Sequence, residues 1–308
     1  GGSITKSLLN QFVPELPINH TFSALLFCFV LALFVSISTK AVDRMSTILI
    51  SGMVIAFFLS TTGLLSSAKS EILLNTVAHT ETSYLPYLLS AIPTCLVSFG
   101  YHICVPTLVN YYDKKSKKVI YSILIGSLLA LIIYISWQMA VQGNLPRDKF
   151  SPVIAKGGDV AALLEALSAY IPIQYISIAL NFFAYMAIAS SFLGVTLGLF
   201  DYIADLLKLP DTPWGRAKTA LLTFLPPLLL SLQFPYGFVI AIGYAGLAAT
   251  LWAAIVPALL VKASRKKFPE SSYKVYGGKG MIYFIIFFGL INIIAQIGIQ
   301  MGIIPTFK

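Results

Sequence analysis

The chain has 308 residues, 57% of them hydrophobic and only 11% charged, against about 25% charged in ordinary soluble domains. That balance excludes a soluble globular enzyme and points to an all-α polytopic membrane protein, whose helices satisfy their own backbone groups inside lipid. The net charge of +9 would suit a nucleic-acid partner if it formed one patch, but the cations sit in loops between apolar stretches, so no nucleic-acid partner is expected.

Seven stretches carry no charged residue: Leu16–Thr39, Met45–Ala68, Thr82–Tyr112, Val119–Pro146, Ala166–Phe200, Thr219–Val261 and Gly280–Phe307. Each is long enough for one helix of about 20 residues. The 43-residue stretch Thr219–Val261 holds two, divided at Gln233-Phe234-Pro235-Tyr236-Gly237, so eight spans are expected.

Gly1–Pro17 reads as a loop or the frayed end of a preceding helix, and Phe22–Ser38 and Met45–Ser67 are the first two spans. The third, Ala91–Asn110, is wrong for a plain membrane helix. Pro93 and Pro106 bracket Ser98-Phe99-Gly100-Tyr101-His102, removing backbone donors on both sides of a loosened centre. A backbone break at bilayer depth is tolerated only where it is buried in protein or lines a cavity, so this segment is expected to form half of a substrate site. Val119–Val141 follows, and then a mixed-charge loop in which Asp159 caps an amphipathic surface helix running to Leu167, a candidate outer lid. The remaining spans are Ile171–Phe200, Ala220–Gln233, Gly237–Val261 and Met281–Ile303.

Assigning alternate loops to opposite faces places fifteen of the twenty-one Lys and Arg on one side, including Lys114, Lys115, Lys117 and Lys118. The positive-inside rule makes that side cytoplasmic. Both ends of the chain then lie outside, and an odd number of helices ahead of Gly1 would return the N-terminus to the cytoplasm. The chain is therefore expected to be the C-terminal part of a longer protein.

His102 is the one histidine, acid, lysine or arginine at membrane depth, where ionisable groups are costly. It is a candidate for both substrate binding and proton carriage; a neutral, merely hydrogen-bonded imidazole is the alternative. A second constellation, Asn181, Tyr185, Ser190, Ser191, Gly194, Thr196 and Gly198, lies on the long fifth span. The two glycines permit close helix approach, and the adjacent hydroxyls of Ser190 and Ser191 are candidate cation ligands opposite a broken helix, unless each bonds its own helix. Asn292, Gln296 and Gln300 give the last span a polar face that should turn toward protein, while Gly243-Tyr244-Ala245-Gly246 and Pro257 predict a thin, kinked penultimate helix. Cys28, Cys95 and Cys104 read as small buried hydrophobes. No nucleophile with a histidine and an acid at one depth, no metal cluster and no phosphate-binding glycine loop is present, so an enzyme, a metal and a bound cofactor are not expected.

Two segments resemble a known family. Ser98-Phe99-Gly100-Tyr101-His102 through Val105-Pro106-Thr107 is similar to the SFGFHG…VPS motif of the bacterial aromatic amino acid permeases, the tryptophan and tyrosine permease family, departing at Ile103 where the family commonly has glycine. Ala189-Ser190-Ser191-Phe192-Leu193-Gly194-Val195-Thr196-Leu197-Gly198-Leu199-Phe200-Asp201-Tyr202 resembles the family's (S/T)SFLGVxLGLFD signature.

The resemblance implies membership of the amino acid/polyamine/organocation (APC) superfamily and a leucine-transporter-like (LeuT-like) inverted-repeat fold of eleven helices. Residues 1–308 would form one transmembrane transporter domain lacking its first three helices: 22–67 helices four and five, 87–261 helices six to ten of the second repeat, 281–303 helix eleven. It further implies proton symport of tyrosine, tryptophan or phenylalanine into the cell across a bacterial inner membrane by alternating access. Half-helix ends around Ser98, Phe99, Gly100, Tyr101 and His102, with Tyr185, would meet the substrate, and Phe99 and Tyr101 would stack on its ring. From the residues alone, sodium-coupled import of neutral amino acids through Ser190 and Ser191 is the alternative, and a noncatalytic membrane subunit or channel a third.

Overall fold

The computed structural model describes residues 1–12, 18–76, 84–171, 174–235, 237–270, 273–274 and 276–306. Every regular element among them is helical: α1 (Gly2–Phe12), α2 (His20–Ile37), α3 (Thr39–Ser67), α4 (Ser70–Leu73), α5 (Leu88–Ser98), α6 (Val105–Tyr111), α7 (Ser116–Gln142), α8 (Ser151–Ala155), α9 (Val160–Ser168), α10 (Gln174–Leu207), α11 (Pro213–Gln233), α12 (Phe238–Ala249), α13 (Val256–Lys267) and α14 (Gly278–Gln300). A π-turn, Thr250–Ile255, joins α12 to α13. His79 lies outside the described residues.

Short polar residues start these helices by accepting from free N–H groups of the first turn. Asn19 accepts from the Phe22 N–H at 2.7 Å, Ser38 from Ala41 at 3.1 Å, Asp159 from Ala162 at 3.1 Å and Thr212 from Gly215 at 3.2 Å. Of the two readings of Gly1–Pro17, a loop or the end of a helix, the helical one holds over Gly2–Phe12. The expected Ala220–Gln233 span begins seven residues earlier, because Thr212 caps and Pro213 opens it.

Among the described residues six helices are long and apolar enough to cross a membrane: His20–Ile37, Lys40–Ser67, Ser116–Gln142, Tyr175–Leu207, Phe238–Lys267 and Gly278–Gln300. The chain is a multi-pass membrane protein. Two of the eight expected spans fall outside that set: the interrupted Ala91–Asn110, which yields only short helices, and α11, whose first two turns carry Arg216 and Lys218. In α7 only 6% of the apolar window is buried, and Ile125 is 65% exposed. A helix of that composition is stable only with lipid around it.

The described chain divides into two compact units. The first comprises residues 1–78 and 136–237, and its centre is α10 lying along α3. Gly63 and Gly52 make that approach possible: a Cβ at Gly63 would stand 2.7 Å from Ile176, and one at Gly52 2.5 Å from Met186 Sδ. One apolar cluster collects Leu64, Val141, Leu164, Leu167, Ile176 and Leu180; a second gathers Phe27, Leu31, Val35, Leu193, Phe200 and Phe224. The α9 helix matches the predicted capped segment, yet Ala162 is buried and Leu164 and Leu167 are part of the first cluster. Its apolar face is packed against protein and is not free to lie on lipid.

The second unit comprises residues 79–135 and 238–308, with α5, α12, the π-turn and α14 packed together. Asn292 and Gln296 are buried there at 1% and 6% exposure, so the polar face of the last helix does turn into its own bundle, while Gln300 is exposed. Of the cysteines only Cys28 is buried; Cys95 and Cys104 are exposed, correcting the expectation for both.

Candidate functional site

The break expected between Pro93 and Pro106 is present in the second unit. Pro93 lies inside α5, and Pro106 sits in the first turn of α6, where its missing N–H costs no helix bond. Between them the chain tightens into successive turns: Phe99 N–H to Leu96 O at 3.2 Å, Gly100 N–H to Val97 O at 3.0 Å, Tyr101 N–H to Phe99 O at 2.9 Å and Cys104 N–H to Tyr101 O at 3.0 Å. A side chain at Gly100 would bring its Cβ within 3.0 Å of the Val97 carbonyl.

The five side chains at the break divide into two groups. Ser98 and Phe99 are held by Tyr134 of α7: the Tyr134 hydroxyl donates to the Ser98 carbonyl at 2.7 Å, and its ring meets Phe99 edge-on at 5.4 Å and 80°. The Ser98 hydroxyl donates to Thr94 O of its own helix at 2.9 Å. The Ser98 carbonyl oxygen at the end of the first half-helix therefore already has a donor. Tyr101 and His102 form the other group. Their rings stack at 5.1 Å and 9°, and the imidazole meets Trp252 edge-on at 6.0 Å and 88°. The Nδ1 of His102 is buried and has no hydrogen-bond partner among the described residues.

The remaining candidates belong to α10 in the first unit. Tyr185 is half-buried and packs on the cluster around Leu64 and Leu180. Ser190 donates to its own helix, to Ala187 O at 3.1 Å, which is the ordinary fate of a helical serine; Ser191 is exposed. Asn181 donates to Ser177 O at 2.9 Å and Thr196 to Phe192 O at 2.6 Å. A Cβ at Gly194 or Gly198 would meet nothing within 4 Å, so the close approach expected at these glycines is not made. Among the described residues no group of three or more His, Cys, Asp or Glu could hold a metal ion.

A model of the tryptophan/tyrosine permease family matches residues 1–296. The chain belongs to this family. It is 67% identical over its whole length to a tryptophan-specific transport protein of Haemophilus influenzae, covering 74% of that protein. It is 46% identical to the tryptophan-specific transport protein of Shigella flexneri over 99% of the chain and 74% of the relative. It is 45% identical to a tyrosine permease of Enterobacter agglomerans over 77% of the chain and 58% of the relative. No solved structure matches.

In this permease-family chain, two residues at the break do not stand out in the sequence: Tyr134 and Trp252. Both lie in spans that read as uniformly apolar. The available signal is that each is an aromatic side chain with a polar atom in a charge-free helix, where tyrosine and tryptophan need a hydrogen-bond partner. For Trp252 a second signal is Pro257, which disturbs the helical ladder one turn later.

Proposed function

We propose that the permease chain is the substrate-handling part of a secondary transporter that imports an aromatic amino acid by proton symport, through alternating access in a leucine-transporter-like fold in a bacterial inner membrane. Both termini of the chain are placed on the outer face. Family membership supplies the transport class, and the names of the relatives, two tryptophan-specific and one tyrosine-specific, supply the aromatic substrate class.

One observation carries the assignment to this site: an unpartnered imidazole nitrogen, flanked by two aromatic rings, at a break in a membrane-depth helix. Ser98, Phe99, Gly100, Tyr101 and His102 form the break. An aromatic ring entering beside Tyr101 gains stacking area. The substrate ammonium takes the place of the Tyr134 hydroxyl on the Ser98 carbonyl, a stronger, charge-assisted bond for a neutral one. His102 binds the coupling proton through the nitrogen left without a partner and releases it on the cytoplasmic side.

Sodium coupling is a second reading, favoured by the exposed hydroxyl of Ser191 beside Ser190 on α10. Uptake of labelled L-tryptophan into proteoliposomes holding the full-length polypeptide tests the class. Saturable accumulation, competed by L-tyrosine and L-phenylalanine but not by D-tryptophan, is expected. Non-saturable flux without stereoselectivity would show a channel.

A further inference from the structure

Trp252 stands in the π-turn Thr250–Ile255, and that turn has identifiable causes. The Val256 N–H donates to Leu251 O, five residues back, and Pro257 has no N–H with which to restore the normal ladder onto Ala253. Across from the turn lies Gly289 of α14, where a Cβ would stand 2.7 Å from Ile255 Cγ1 and 3.6 Å from Thr250 Cγ2. Glycine thus leaves room for the widened turn. Thr250 is fully buried and ties the turn to α12 by donating to Gly246 O at 2.8 Å. A π-turn takes in one residue more than an α-turn, so it rotates Trp252 by about 100° relative to α13.

There Trp252 meets the His102 imidazole edge-on, and the Tyr101 ring stacks on a face of the same imidazole. Tyr101 and Trp252 remain 38% and 43% exposed, so each ring still has surface for a third. The Nδ1 of His102, on the imidazole that both rings contact, is buried and has no partner among the described residues. Two aromatic surfaces around one hydrogen-bonding ring nitrogen suit a planar ligand that carries its own N–H, and a bicyclic ring covers more of the two surfaces than a single ring does.

We propose that Trp252, set beside His102 by the π-turn, is a specificity-determining residue that favours an indole over a phenol ring in the transported amino acid. The inference rests on the aromatic-uptake reading above, and the experiment separates the two. Initial rates of L-tryptophan and L-tyrosine uptake are measured in proteoliposomes for the unsubstituted full-length polypeptide, Trp252→Phe, Trp252→Ala and Gly289→Ala. Trp252→Ala should raise KM for tryptophan about three- to ten-fold, KM for tyrosine less than about two-fold, and leave kcat within about two-fold; Trp252→Phe should fall between. Gly289→Ala, which touches no ligand but presses on Ile255, should shift the KM ratio in the same direction. Should Gly289→Ala fail to reach the membrane, the two Trp252 variants decide alone. Equal KM changes for both substrates, or none, overturn the role of Trp252 while leaving aromatic uptake standing. Absence of uptake of either amino acid by the unsubstituted polypeptide overturns the transport reading itself.

Discussion

The hydroxyl of Tyr134 donates to the carbonyl of Ser98 at 2.7 Å, closing off the last acceptor of the half-helix that precedes the break. In the proposed mechanism Tyr134 is a removable cap, satisfying this carbonyl until a substrate ammonium replaces it. Tyr134→Phe keeps the ring against Phe99 and removes only the donor. It should lower thermal stability by about 0.5–1.5 kcal/mol, the ordinary net worth of one hydrogen bond, read as the fraction remaining monodisperse after heating in detergent. An unchanged melting profile would mean that the Ser98 carbonyl finds another donor.

Arg216 closes the far end of α2 in the first unit. Its Nε donates to Ser36 O at 2.8 Å, one Nη to Val35 O at 3.1 Å, and the guanidinium lies 5.2 Å above the Phe200 ring. The guanidinium fork reaches two adjacent carbonyls that a lysine ammonium cannot span. Arg216→Lys should cost about 1–2 kcal/mol of stability and Arg216→Ala about 2–3 kcal/mol. Its carboxylate partner Asp211 is 83% exposed, so Asp211→Asn should cost less than about 1 kcal/mol. Equal losses at both positions would show that the ion pair, and not the capping of α2, is what matters.

Two buried asparagines should respond with opposite signs. Asn144 donates to Leu64 O at 2.7 Å and Ala140 O at 2.8 Å and accepts from the Ser67 hydroxyl at 2.9 Å. Asn292 is 1% exposed, and neither its amide nitrogen nor its oxygen has a partner among the described residues. Asn144→Leu removes all three of these bonds and should destabilise by about 2–4 kcal/mol, whereas Asn292→Leu removes an unsatisfied group and should leave stability unchanged or raise it by about 1 kcal/mol. Comparable losses in both variants would show that Asn292 is bonded in the membrane-embedded protein.

His102→Gln preserves hydrogen bonding and removes the titrating nitrogen. Accumulation driven by a pH gradient should fall at least about ten-fold, while counterflow exchange of labelled for unlabelled tryptophan, which needs no net proton movement, should persist. Intact pH-driven accumulation in this variant would remove His102 from the proton path and leave it a binding role.

The sequence carries the broken segment clearly because two prolines and a glycine act on the backbone locally, within the span they disrupt. The π-turn is harder to see: Pro257 is visible, but the turn also needs Gly289 on a helix more than thirty residues away to make room for it. The α9 helix shows the same limit. Its cap and amphipathic face are local and appear as predicted, while the partner of that face, the cluster around Leu64 and Leu180, is tertiary, so a lipid-surface reading and a packed reading share one sequence pattern. For Gly194 and Gly198 the small-residue spacing is present and the partner helix is not, because spacing permits an approach without requiring one.

Accumulation of L-tryptophan in proteoliposomes holding the full-length polypeptide, with an inward proton gradient and no sodium on either side, tests the central claim most directly. Concentrative uptake that collapses when a protonophore is added is the predicted result. Uptake that requires a sodium gradient and ignores the pH difference would contradict proton coupling through His102.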